Sequence, residues 1–117
     1  MSKITWGSSA GKGRGVFAAI DFVPGETVET APVILIDAAD VPNEGVRDRY
    51  LFDWGDGRCA IGLGYLSLYN HSDSPNVLWE QHSDALTISM IAVRRIERGE
   101  ELLFDYKCPE ITKAFTA

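Results

Sequence analysis

Cysteine is scarce in this chain: Cys59 and Cys108 are the only two among 117 residues. Two thiols cannot build a disulfide framework, and they fit a reducing compartment. Long apolar runs are missing too. No stretch approaches the roughly 20 residues that a membrane-spanning helix needs, so no membrane partner is expected. The opening residues, Met1-Ser2-Lys3-Ile4-Thr5-Trp6, carry no apolar signal-peptide core, which points to the cytoplasm. Internal repeats, linkers and low-complexity stretches are also lacking. The length suits one domain with a core of its own.

Positive charge is the remaining shortage. Eleven Lys and Arg stand against seventeen Asp and Glu, for a net charge of −6. Between Asp21 and Asp56 there are nine acids, at positions 21, 26, 29, 37, 40, 44, 48, 53 and 56, against only Arg47 and Arg49. Such a surface repels phosphate backbones, so direct nucleic-acid binding is not expected. It either attracts a Lys/Arg-rich protein segment or is a solvated acidic face, and charge patterning alone leaves both open.

What the chain does have is frequent punctuation by Gly and Pro, which favours short strands over long helices. Val16–Ile20 reads as a strand stopped by Asp21 and Pro24-Gly25. Thr27–Ile36, rich in Val, Ile and Thr, reads as a strand bent or interrupted at Pro32. Asn43–Phe52 is the best helix candidate, with Asn43 as a possible cap. Cys59–Ile61 reads as a short strand and Tyr65–Asn70 as a helical turn. Val77–Gln81 and Leu86–Val93 suggest an antiparallel pair around Ser83-Asp84. Leu102–Tyr106 is a last strand, launched from a turn at Arg98-Gly99. The fold expected is mostly β, with one or two short helices.

Three stretches carry chemistry. "GKGRGVF" holds Gly13-Arg14-Gly15, whose backbone can turn sharply and approach a ligand closely, although Gly-x-Gly before a strand is more often a tight turn. It is not the dinucleotide fingerprint, which needs a third glycine and a following helix. "YNHSDSPN" sets Asn70-His71-Ser72 at the end of an apolar run; alone it reads as a capped turn. "RGEELLFDY" reads as a turn leading into a core strand, with Tyr106 wherever its hydroxyl is satisfied.

Each motif has an ordinary explanation. Together and in this order, they resemble the SET domain of protein-lysine methyltransferases, and the resemblance runs from Lys12 to Lys107. It implies a β-clip fold of small curved sheets, closed by a C-terminal pseudoknot near the Asn-His motif. The whole chain, 1–117, would be a single SET domain with motifs over 12–107 and a tail over 108–117.

The resemblance also implies S-adenosylmethionine as cofactor, bound by Gly13, Arg14, Gly15, Tyr69, Asn70, His71 and Tyr106. The catalytic tyrosine would be Tyr106. Tyr50, Phe52, Tyr65 and Phe104 are candidate walls of the lysine channel, with plain core the default for Phe52 and Tyr65. Many family members bind zinc through a cysteine after Asn-His-Ser and a cysteine-rich segment beyond the domain. Here Asp73 takes that place and Cys108 alone follows Tyr106, so four zinc ligands cannot be assembled and no metal is expected.

A minimal domain of this kind would need its channel completed. Either the tail "KCPEITKAFTA" folds back, with Ile111 and Phe115 as lids, or a second subunit covers it in a homodimer. The expected substrate is a basic protein (histone, histone-like or ribosomal), in the cytoplasm or in a host nucleus. Phe104, two residues before Tyr106, implies di- or trimethylation. The alternatives are a non-catalytic SET-like cofactor- or protein-binding module and a small β-rich interaction protein.

Overall fold

A computed structural model describes residues 2–43, 45 and 50–106. Among these, no helix is long and apolar enough to cross a membrane. Nine short strands form two sheets. The first sheet has the order β1 (Ile4–Ser9), β2 (Gly13–Ala18), β9 (Glu101–Phe104) and β6 (Asn70–His71). The second runs β4 (Phe52–Gly55), β5 (Arg58–Gly62), β3 (Thr27–Asp37), β8 (Thr87–Ala92) and β7 (Val77–His82).

The expected mostly β character holds, and several boundaries move. Gly13 and Gly15 lie inside β2 rather than in a turn before it, because β1 supplies a hairpin partner, with Ser8 opposite Arg14 and Ser9 opposite Gly13. The turn falls earlier, where Lys12 N–H donates to the Ser9 carbonyl at 3.0 Å. β2 then ends at Ala18, two residues short of Ile20.

Strand β3 is not interrupted at Pro32. It runs through and changes neighbours there, pairing with β8 from Thr27 to Pro32 and with β5 from Val33 to Asp37. A residue with no N–H to give stands at the handover, where one ladder ends and the next begins.

Of the expected Asn43–Phe52 helix, Gly45 and Tyr50 have helical backbone, while residues 44 and 46–49 lie outside those described. Phe52 is not helical but opens β4, which alternates buried and exposed residues as a half-buried strand does. Its hairpin to β5 turns on Asp56-Gly57, both at positive φ (54° and 73°), as the right-handed strand twist favours. Leu86, also at positive φ, belongs to the β7–β8 turn rather than to β8. Asp105 and Tyr106 follow β9 instead of extending it. The helical turn expected over Tyr65–Asn70 is a 3-10 turn at Leu66–Leu68.

The core lies between the sheets, with Val16, Phe22, Val77, Ile88, Met90, Ile96 and Leu102 fully buried. Gly62 in β5 is part of that fit. A Cβ there would stand 2.5 Å from the Leu66 Cβ and 3.0 Å from the Phe52 ring, and neither atom can move far. Gly62→Ala is therefore expected to cost about 2 kcal/mol or more, within the range for overpacked cores, read as a lower urea midpoint at unchanged slope.

Candidate active site

The three sequence motifs meet on β9. It pairs antiparallel with β2 (Val16 opposite Leu102, Phe17 opposite Glu101) and parallel with β6 (Asn70 opposite Leu103, His71 opposite Phe104). Buried Asn76 locks this arrangement. Its Nδ2 donates to the Glu101 carbonyl and its Oδ1 accepts from Leu103 N–H, both at 2.8 Å. Its own N–H donates to the Leu103 carbonyl at 3.0 Å. A buried amide that both donates to and accepts from one strand fixes its register.

On one face, the Asn70 amide nitrogen donates to the Arg14 carbonyl at 2.9 Å and to Glu101 Oε2 at 2.8 Å. Both partners are acceptors, which orients the amide without ambiguity. Ser9 Oγ donates to Glu101 Oε1 at 2.8 Å. Gly15 lies beneath, and a Cβ there would fall 2.3 Å from Glu101 Oε2. The Asn70 Oδ1 accepts no hydrogen bond among the described residues. Lys12 reaches the His71 carbonyl at 3.4 Å, and the Arg14 guanidinium lies 6.0 Å from the Trp6 ring.

Beside this cluster, Tyr106 is held at both ends. Its N–H donates to His71 Nδ1 at 3.0 Å and its hydroxyl to the Tyr69 carbonyl at 2.7 Å. Because Nδ1 accepts, the neutral ring carries its proton on Nε2, which donates to Asp73 Oδ1 at 2.9 Å. His71, Asp73 and Asp105 bring three ligand-type atoms within 4.8 Å of one another, but both ring nitrogens are already engaged. The grouping acts as a brace on Tyr106. Around it the Phe104 ring contacts Phe52 (5.7 Å), Tyr106 (5.0 Å) and Tyr69 (6.3 Å between centroids), and His71 packs on Tyr106 at 5.1 Å.

Residues 13–107 match the SET domain family. The chain belongs to that family. This SET domain is 34% identical over 99 residues to a histone-lysine N-methyltransferase, H3 lysine-37 specific, of Schizosaccharomyces pombe, covering 81% of the chain and 67% of that relative. Among solved structures, a candidate histone methyltransferase of Plasmodium falciparum superposes with a TM-score of 0.75 at 31% identity, over 91% of this chain and 94% of that one. Polycomb Repressive Complex 2 of Chaetomium thermophilum contains a similar region, with a TM-score of 0.74 and 26% identity over 94% of this chain and 17% of that one. Family and relatives together place this SET domain among the protein-lysine N-methyltransferases.

Of the residues singled out from the sequence, Gly13, Arg14, Gly15, Tyr69, Asn70, His71, Phe104 and Tyr106 converge on this one region. Tyr65 does not reach the aromatic cluster; it packs against the core edge and its N–H donates to Glu29. Tyr50 is 53% exposed and makes no ring contact among the described residues. Ile111 and Phe115 lie outside the described residues.

Three residues were missed: Asn76, Glu101 and Glu29. Asn76 looked like part of a Ser-Pro-Asn turn and Glu101 like one of two turn acids. Glu29 was only one acid in an acidic stretch. A signal existed for Glu101, the acid that immediately precedes the apolar Leu102-Leu103-Phe104 run.

Proposed function

We propose that this SET domain transfers methyl groups from S-adenosylmethionine to lysine ε-amines of a basic, histone-type protein. The observation that carries the proposal is Tyr106, whose hydroxyl is anchored on the carbonyl of Tyr69, next in sequence to Asn70, whose amide oxygen accepts no hydrogen bond among the described residues. The relatives' names support the substrate class.

The residues present fit the cofactor. The Asn70 oxygen, without a partner among the described residues, suits an ammonium donor, and the exposed cations Lys12 and Arg14 suit a carboxylate. When bound, S-adenosylmethionine supplies an electrophilic methyl on a sulfonium. The chain's own residues then have three tasks: to bind lysine as the neutral amine, to align it and to exclude water. An aromatic wall of Phe104, Tyr69 and Tyr106 lowers the pKa of an ammonium by desolvation. The Tyr106 O–H donates to the Tyr69 carbonyl, which orients the hydroxyl oxygen as the proposed acceptor for the amine or for a polarised methyl C–H. The braced His71 keeps the Tyr106 backbone in place while this happens.

The position of β9 between β2 and the 70–76 segment supports the pseudoknot expected of the family. A cytoplasmic or nuclear location accords with a histone-type substrate.

Incubation of the protein with methyl-labelled S-adenosylmethionine and purified core histones is expected to label lysine. If the acidic surface attracts the substrate, the KM for histone should rise with salt as screening shortens the reach of its charges. No label on any histone or lysate protein, despite cofactor binding, would return the domain to a binding module.

The product is set at Phe104, which carries no hydroxyl to hold a water near the amine. Taken to completion, the wild type should yield di- or trimethyl-lysine. Phe104→Tyr should stop earlier, at mono- or dimethyl-lysine, with a similar first step. Mass spectrometry of a peptide decides this, and a wild type that stops at monomethyl-lysine rejects it.

A further inference from the structure

One carboxylate on the core side of the fold has no part in the chemistry above. Glu29 lies on the same face of β3 as the buried Ala31 and Val33, at alternate positions. The ladder sets Glu29 opposite Met90 and Ala31 opposite Ile88, both partners fully buried, and its shift between Thr27 and Glu29 leaves Val28 buried as well.

Burial pushes the Glu29 carboxyl above its ordinary range, partly offset by two hydrogen bonds that favour the ionised form. Its Oε2 accepts from Tyr65 N–H at 2.8 Å, and its Oε1 accepts from the Tyr69 hydroxyl at 3.0 Å. Those tyrosines bracket the Leu66–Leu68 turn, one entering and one leaving it. Gly64, at φ +60°, leaves the room the carboxylate needs: a Cβ there would fall 2.6 Å from Glu29 Oε2. The Tyr69 ring is buried, and with its hydroxyl tied to Glu29 the backbone carrying it has little freedom. That backbone presents the carbonyl to which Tyr106 donates at 2.7 Å.

We propose that Glu29 is a positioning residue, acting through Tyr69: by holding both ends of the Leu66–Leu68 turn, it fixes the carbonyl that aims the Tyr106 hydroxyl. The inference rests on Tyr106 being the group that faces the reacting amine. It explains why a carboxylate is kept on the inner side of a small β domain, where an apolar residue would be easier to bury. The three residues lie at positions 29, 69 and 106, on segments that share no local pattern.

The test uses the full chain with Glu29→Gln, which preserves shape and one acceptor oxygen, so folding is expected to survive. With S-adenosylmethionine and core histones, kcat should fall about three- to tenfold, or about 0.7–1.4 kcal/mol. The dissociation constant for S-adenosylmethionine should stay within about twofold, since ~0.4 kcal/mol is the most that an indirect change should bring there. Tyr69→Phe, which removes the same hydrogen bond from the other side, should reproduce the kcat loss.

An activity-independent arm uses ring-labelled tyrosine and NMR. In Glu29→Gln the Tyr69 and Tyr106 Cζ lines should both move, and the Tyr69 phenol, raised first by burial and then by Glu29's charge and hydrogen bond, should titrate at lower pH than in the wild type. An unmoved Tyr106 line, or an unchanged kcat, overturns the proposal. A wild type that methylates no protein instead removes the methyl-transfer reading, and the NMR arm still decides whether Glu29 governs Tyr106.

Discussion

Tyr106→Phe should reduce kcat by about 100-fold to 1,000-fold, the usual loss when one preorganised polar group at a reacting centre is deleted. The substitution removes little else. The ring would keep its contacts with Phe104 and His71, and the backbone N–H would still donate to His71 Nδ1. The oxygen held 2.7 Å from the Tyr69 carbonyl disappears, and with it the acceptor proposed for the amine. Affinity for S-adenosylmethionine, measured by calorimetry, should change far less than kcat, because the Asn70 cluster lies on a separate set of hydrogen bonds. A variant that turns over within a fewfold of wild type would take Tyr106 out of the mechanism.

Gly15→Ala is expected to weaken cofactor binding by about 10-fold to 100-fold, equivalent to roughly 1.4–2.7 kcal/mol. The added methyl would sit 2.3 Å from Glu101 Oε2 and 2.9 Å from Asn70 Nδ2. A carboxylate at the end of a side chain can usually swing aside, but this one accepts from Ser9 Oγ and the Asn70 amide. Moving it breaks hydrogen bonds to a charged acceptor, each worth about 1.5–3 kcal/mol, and releases the amide whose oxygen is proposed to meet the cofactor. Gly13→Ala is the control. That position has a positive φ of 81° but nothing within 4 Å of an added Cβ. It should therefore cost stability through backbone strain and leave Asn70 in place. Equal cofactor affinities for Gly15→Ala and wild type would show that the Gly15–Glu101–Asn70 contact does not shape the binding site.

Short strands announced themselves wherever a β-rich run was bounded by Gly, Pro or Asp, and β3, β5, β7 and β8 were legible for that reason. Strand β4 was not, although Asp56-Gly57 is a hairpin signal, because its apolar residues also fit the end of a helical pattern. Strand β1 was missed since its polar, exposed residues look like an unstructured start until β2 lies beside them.

The sequence by itself determined the family, the mostly β class and the set of motif residues, because those depend on residue types at short spacings along the chain. Tertiary structure alone decided which acids matter. Ser9 and Glu101 meet across 92 positions, and Glu29 and Tyr69 across 40. Alternation with Ala31 and Val33 places Glu29 on the inner face, but only folding brings Tyr65 and Tyr69 to its two oxygens. Local periodicity records which way a regular strand faces. It carries no information about where a ladder slips, or about which distant carboxylate the folded chain brings beneath a glycine.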